Sequence, residues 1–357
     1  MRILVISFGD VKRPNNGYLI RVSTLLSCLK GTSNNVKVIQ FLTNNEDVPP
    51  SNDIISVKVN KSYLSYFVKF TTYPIKLLKE LKEADIIIFE GSLFVPFGIL
   101  GKLLGKKVIH DFHGSIEEVS KDAKDIKSLI FRKIIGGTLD RIATYISDIV
   151  ITVSDKDKEI IRRYNKNKEV YTVIHGIDVD KIPFFKLKRN RIERLIFVGD
   201  LRAFNNFTAA KKIIEIAEKM PEIQFVIVGA GSELIKTHPN NVKPTGLVSS
   251  LDPYYEDADA CIIPIVAGTG IKTKVLECMA YGRPVVTTEK GIQGLEAAKG
   301  LKGVYVVKVE DMPRIIKEIE LENEYKELRG FVEENFSKKQ TCMQINKVLH
   351  SLFHKLF

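Results

Sequence analysis

The feature that most constrains this chain is a recurrence. Short runs of Ile, Val, Leu and Phe are each followed by an amphipathic stretch, in two series separated by a break. In the first half the runs occupy 3–7, 36–41, 86–89, 108–110 and 149–153, with helical patterns such as 19–29 and 124–134 between them. The runs are continuous rather than alternating, which predicts strands buried on both faces of a parallel sheet. Strand alternating with helix is the βαβ signature. TVIHGIDVD at 172–180 reads as a last strand and its exit loop. Residues 181–194, KIPFFKLKRNRIER, then carry six basic residues and one acid with no regular period, and read as a linker. The pattern restarts at 195–198, 225–228, 260–264 and 285–287, with helices expected at 208–220 and 274–281.

A chain of 357 residues also exceeds the size at which one core keeps growing. Two doubly wound α/β domains are therefore expected, 1–180 and 192–335, joined by a linker at 181–191. Ligands of such sheets bind beyond the carboxyl ends of the strands, so the site is expected in a cleft between the domains.

The formal net charge of +11 points to anionic partners. No nucleic-acid-binding motif accompanies it, which leaves phosphorylated small molecules or an anionic membrane surface. The four cysteines form no C-x-x-C pair. That excludes a zinc ribbon and a disulfide scaffold and fits a reducing compartment. No apolar run reaches the roughly 18 residues of a membrane span. The opening MRILVISFGD reads as a first strand rather than a signal peptide. The expected location is cytoplasmic.

The densest chemistry lies in 264–295, PIVAGTGIKTKVLECMAYGRPVVTTEKGIQGL. Gly268 and Gly270 follow a buried strand and precede a helix, with Lys272 and Lys274 at its start. Free N–H groups of a helix N-terminus and nearby lysines suit a diphosphate. The segment is not a Walker loop, because Ile271 stands where glycine is needed, nor G-x-G-x-x-G, because the third position is Thr273. Local chemistry alone leaves a plain strand–helix turn with solvated lysines equally open. Glu277, one to two turns further, sits among apolar residues, where a carboxylate can accept both hydroxyls of a ribose.

This segment resembles the donor-binding motif of retaining glycosyltransferases of the GT-B fold, the family-four-like group also called glycosyl transferases group 1. Other blocks fall in the same order. Asn16 and Gly17 resemble the glycine turn after the first strand, and VIHDFHG at 108–114 resembles the strand ending in a histidine, here His113. DIVITVS at 148–154 and VIHGID at 173–178 match further blocks, with His175 where asparagine is usual. The second-domain register continues through 195–201, Asn205, Asn206, 228–231 and 246–259. Residues 336–357 resemble the carboxy-terminal helix that crosses back to the first domain.

The resemblance implies a two-domain enzyme that takes a sugar from a nucleotide-sugar donor, with retention, to a glycan or lipid-linked acceptor. No separate cofactor is implied. Gly17, Gly199, Arg202, Gly246, Gly268, Thr269, Gly270, Lys272, Lys274 and Glu277 become candidate donor-binding residues, with His113 and Lys274 as candidate catalytic groups. Asp111 is placed to orient the imidazole or to cap the following helix. Three departures stand out. Thr269 replaces the first of two glutamates usual in the family, and Asp200 and Asn205 occupy the two usual phosphate-binding cation positions. Arg202, Lys272 and Lys274 are the nearest substitutes.

The acidic triplets 155–157, 178–180 and 257–259 read as solvated acids or caps, so no metal site is expected. Lysines and a helix dipole would neutralise the diphosphate instead. Residues 61–82 combine five lysines with five aromatics, and a second basic cluster spans 121–141. Both suit an anionic membrane face, or equally an ordinary solvated helix surface. An epimerase of the same architecture and a non-catalytic sugar-nucleotide-binding subunit are the rival readings.

Overall fold

The computed structural model describes residues 1–13, 17–32, 35–43, 51–59, 73, 75–115, 135–268 and 270–354. Asn16, Thr269, the helix expected at 124–134 and most of the segments 61–82 and 121–141 lie outside these described residues. The chain divides into two compact units, Met1–Gly176 with Lys339–Phe357, and Ile177–Lys338.

The first unit is built on seven parallel strands: β1 (Arg2–Phe8), β2 (Asn35–Thr43), β3 (Ile54–Val59), β4 (Ile86–Glu90), β5 (Lys107–Phe112), β6 (Ile149–Thr152) and β7 (Val170–Thr172). Their order is β3-β2-β1-β4-β5-β6-β7. Ile3 of β1 lies opposite both Val36 of β2 and Ile86 of β4. The winding therefore reverses between β1 and β4, opening a crevice at their carboxyl ends. All five residues of β4 are buried, as its unbroken apolar run predicts. β3, which hydrophobic runs do not reveal, is an edge strand whose IISVKV pattern is only partly buried.

One face of this sheet packs on the helix Gly17–Thr32 and on the helix Lys338–His354, through Leu25, Leu29, Ile345, Val348 and Leu349. Full burial of such a side chain contributes about 1.5–3 kcal/mol. The carboxy-terminal helix is further tied down by a Cys28–Cys342 disulfide. Thr341 Oγ1 and Gln344 Oε1 on it accept hydrogen bonds from the backbone N–H groups of Gly176 and Ile174.

The second unit carries six parallel strands: β8 (Arg194–Val198), β9 (Gln224–Val228), β10 (Val242–Pro244), β11 (Ala260–Ile263), β12 (Val285–Thr287) and β13 (Val304–Val306), in the order β10-β9-β8-β11-β12-β13. A second disulfide, Cys261–Cys278, joins β11 to the helix Thr273–Ala280. The expectation that the four cysteines build no disulfide framework is thus corrected. Partners 314 and 17 residues apart carry no local pairing signature.

The expected linker is also corrected, because 181–191 is part of the second unit. Leu187 and Ile192 are buried in its core. Arg189 donates to the Asp259 carboxylate at 3.0 Å, Lys188 pairs with Glu256, and Arg194 pairs with Asp257. Asp259, expected as a solvated acid or cap, is buried and accepts from the backbone N–H groups of Glu193 and Arg194. Two arginines of the basic run, Arg189 and Arg194, thus pair with the acidic triplet. Asp157 behaves as expected, in the first turn of the helix Asp155–Tyr164 against its N-cap Ser154.

Candidate active site

In the second unit the predicted donor residues gather at the carboxyl ends of β8 and β11, where that sheet reverses its winding. Gly199 follows β8, and a Cβ there would come 3.0 Å from Lys274 Nζ. Lys274 donates to Asn206 Oδ1 at 2.5 Å and sits 4.6 Å over the Phe197 ring. Gly229 has φ +131°, and a Cβ on it would fall 2.2 Å from the Gly199 carbonyl oxygen. Glycine is obligatory at that crossing, both for its backbone conformation and for the closeness of the two chains. Gly268, at φ +99°, likewise lies against the Asn205 amide.

Burial lowers the Lys274 ammonium to about 8; the Glu277 charge opposes the shift and Lys272 adds to it. Lys272 also falls to about 8, by burial and by Lys290, and donates to the Gly270 carbonyl at 2.7 Å. The Glu277 carboxyl is raised by burial, against the pull of Lys274. Gly246 is one strand further out, its carbonyl accepting from Gly229 N–H. Arg202 does not supply a spare cation. Its guanidinium forks onto Asp200, with Nε 2.8 Å from Oδ1 and Nη2 2.5 Å from Oδ2. Asp200, at one of the two positions where a cation was expected, thus also engages one of the three expected substitutes.

In the first unit Gly17 opens its helix, and a Cβ there would meet nothing within 4 Å. Packing inside the unit therefore does not require glycine at that position. His113 follows β5, with Nε2 2.6 Å from Glu90 Oε2 and 3.9 Å from Asp111 Oδ2. Its ring lies 4.8 Å from that of Tyr18. Of the two roles expected for Asp111, orienting the imidazole by a hydrogen bond is corrected, since both its oxygens accept from Arg21, at 2.8 and 3.2 Å, and the helix expected after it lies outside the described residues. Burial pushes the Asp111 carboxyl up, but the charges of Arg21 and His113 outweigh it and leave the group below its usual range.

Glu90 is the residue that sequence reasoning missed. Its signal was an acid closing the apolar run of β4, one strand from the histidine. Burial and the Asp111 charge push its carboxyl up to about 7, opposed by the His113 hydrogen bond. His175 sits nearby, lowered to about 4 by burial, then by Arg21 and His113. Among the described residues Glu90, Asp111 and His113 form the one grouping with metal-ligand chemistry, their atoms within 4.8 Å of one another. The guanidinium of Arg21 already takes the cation's place beside Asp111.

Residues 20–181 match the model of Glycosyltransferase Family 4, and residues 192–321 match that of Glycosyl transferases group 1. Comparison of the sequence with curated proteins finds no match. Among solved structures, the chain is similar to sucrose-phosphate synthase from Thermosynechococcus elongatus (15% identity, TM-score 0.72, covering 99% of this chain and 100% of that one). It is similar to the lipopolysaccharide outer core galactosyltransferase WaaB (15%, TM-score 0.71, 99% and 100%). It is also similar to the Anabaena protein HepE in complex with UDP (14%, TM-score 0.71, 98% and 100%). Among the described residues no helix is long and apolar enough to cross a membrane.

Proposed function

This chain is a glycosyltransferase of GT-B type, its two domains belonging to glycosyltransferase family 4 and to the glycosyl transferases group 1, and from that premise we propose that it transfers a hexosyl group, with retention, from a nucleotide-sugar donor to a glycan or lipid-linked acceptor. The observation that carries this reading is the half-buried Lys274 at a glycine-edged strand end, beside Asn206 and one helical turn before Glu277. In it Lys274 and the backbone of 268–270 neutralise the diphosphate, and Glu277 holds the ribose. His113 hydrogen-bonds the transferring sugar. A departing diphosphate stabilised in this way supplies most of the rate enhancement, because charge builds on it in the transition state. Neutralisation by lysine and helix dipole makes the reaction metal-independent.

Relatives of this fold have been solved with UDP and with UDP-glucose, so UDP-sugars are the first donors to test. The experiment incubates the full chain with radiolabelled nucleotide sugars and follows release of the nucleoside diphosphate. Slow hydrolysis or transfer supports the reading. Inversion at C2 of the sugar supports the epimerase, and binding without turnover a partner subunit.

The acceptor reading extends to an anionic membrane on the cytoplasmic face. Ile75 and Leu103 are exposed, next in sequence to Lys76 and Lys102, and Lys106 Nζ donates to the Lys82 carbonyl at 2.6 Å. Lysines near such a surface contribute about 1 kcal/mol each. Co-sedimentation with phosphatidylglycerol vesicles at low salt tests this, and replacing Lys61, Lys69, Lys76 and Lys79 by Gln is expected to abolish it.

A further inference from the structure

Glu90 ends β4 and is 2% exposed. It pairs across the sheet with Asp111 of β5, and Gly91 N–H then donates to the Asp111 carbonyl, which fixes the backbone on both sides. One carboxylate oxygen meets His113 Nε2 at 2.6 Å, and the other, Oε1, has no hydrogen-bond partner. The remaining candidates to hold the imidazole are otherwise committed. Asp111 is forked by Arg21, and the Tyr18 hydroxyl bonds Ser7 Oγ and Phe8 N. Tyr18 also packs its ring against the imidazole, which is 18% exposed against almost complete burial of the acid.

A histidine's free nitrogen takes its character from the bond its other nitrogen makes. With Nε2 held by a carboxylate, the ring keeps its proton on that side, and Nδ1 is left as the acceptor.

We propose that Glu90 is the positioning residue of this site, locking His113 so that Nδ1 is presented as a hydrogen-bond acceptor to a sugar hydroxyl. The inference rests on the reading of His113 as the group that meets the sugar. Glu90 acts only through the imidazole and touches no substrate. No proton needs to leave the pair, since Nε2–H stays in its bond to the carboxylate while Nδ1 accepts. Burial of Glu90 beside Asp111 makes the unpaired carboxylate costly, so the imidazole is also the group that keeps it satisfied.

The test compares wild type, Glu90→Gln, His113→Ala and the double variant, each as the full chain. Three readouts are taken: kcat and KM with a UDP-sugar, UDP affinity by calorimetry, and the tautomer of His113 from the nitrogen NMR signals of labelled histidine. Arg21, Asp111, Tyr18, His110 and His175, the groups whose charge or contact His113 feels, are unchanged in every comparison of Glu90 with Gln.

Loss of the carboxylate acceptor is expected to release the Nε2–H tautomer of His113 and to lower kcat about tenfold or more. UDP affinity should not change. In the His113→Ala background the Glu90 change should cost nothing further, because residues acting as one unit are not additive.

A full, multiplied loss in the double variant overturns the proposal, as does a His113 tautomer that is identical in wild type and Glu90→Gln. Should Glu90→Gln fail to fold, Glu90→Asp keeps the charge on a shorter arm. It is then expected to lower kcat while largely retaining the Nε2–H tautomer, and an unchanged kcat overturns the proposal. If wild type turns over no nucleotide sugar, the glycosyltransfer reading fails by itself. The NMR comparison still decides whether Glu90 governs the imidazole.

Discussion

Lys274 sets its ammonium 2.5 Å from Asn206 Oδ1, a partner 68 residues away in sequence, and so brings the start of one helix to the start of another at the end of β8. An amide cannot neutralise a lysine. The cation is held by a dipole and an aromatic face, and keeps its charge available to an anion.

Lys274→Gln is expected to weaken binding of UDP by about 1.5–3 kcal/mol, the worth of a hydrogen bond to a charged group. Calorimetry on the full chain measures it, and an affinity equal to wild type removes Lys274 from the site.

The lowered Lys274 and Lys272 give opposite pH signatures for binding and for stability. Both fall to about 8 from an ordinary 10.5. Between these values the unfolded chain holds more protons than the folded one, so the ligand-free protein gains stability as pH rises. UDP affinity should fall over the same window as the ammonium charges are lost. Melting and calorimetry at pH 7 and pH 9.5 check both, and parallel trends contradict the assignment.

Glu277→Ala is expected to cost about 1–3 kcal/mol of UDP affinity through unmatched ribose hydroxyls. The ligand-free fold should be no less stable, because burial already raises this carboxyl. A UDP affinity unchanged from wild type rules out the ribose role.

Transfer should persist in EDTA at an undiminished rate, since Arg21 stands where a cation would sit beside Asp111. Strict dependence on added manganese or magnesium contradicts the lysine-based mechanism.

Replacing Cys28 and Cys342 by Ser is expected to lower stability by about 2–4 kcal/mol, as for the loss of a bridge that closes a long loop. Denaturant unfolding with and without reductant measures it. Equal midpoints for wild type under both conditions and for the variant would show that packing alone holds the carboxy-terminal helix.

Much of the fold was legible because buried parallel strands are local signals. β1, β2, β4, β5, β6, β8, β9, β11 and β12 all announced themselves as apolar runs. The strands that escaped, β3, β10 and β13, are edge strands, only partly buried and free to carry Ser, Lys or Tyr, and the other edge, β7, ends at Thr172, where the sequence reading has it begin. In the site, the glycines and Lys274 were legible because strand–glycine–helix spacing is local too. Glu90 was not, because nothing in its own segment names a partner 23 residues on.

The sequence by itself determined that this protein is two doubly wound α/β units and which strand ends bear the glycines and lysines, since burial on both faces of a strand dictates an unbroken apolar run. Only the tertiary structure decided how the charges are spent: Asp111 on Arg21, Arg202 on Asp200, Asp259 on the supposed linker, and Glu90 on His113. It also decided that Cys28 meets Cys342. Charge and thiol partners are chosen by proximity across the packed sheet, and residues up to 314 apart leave no period for a sequence to show.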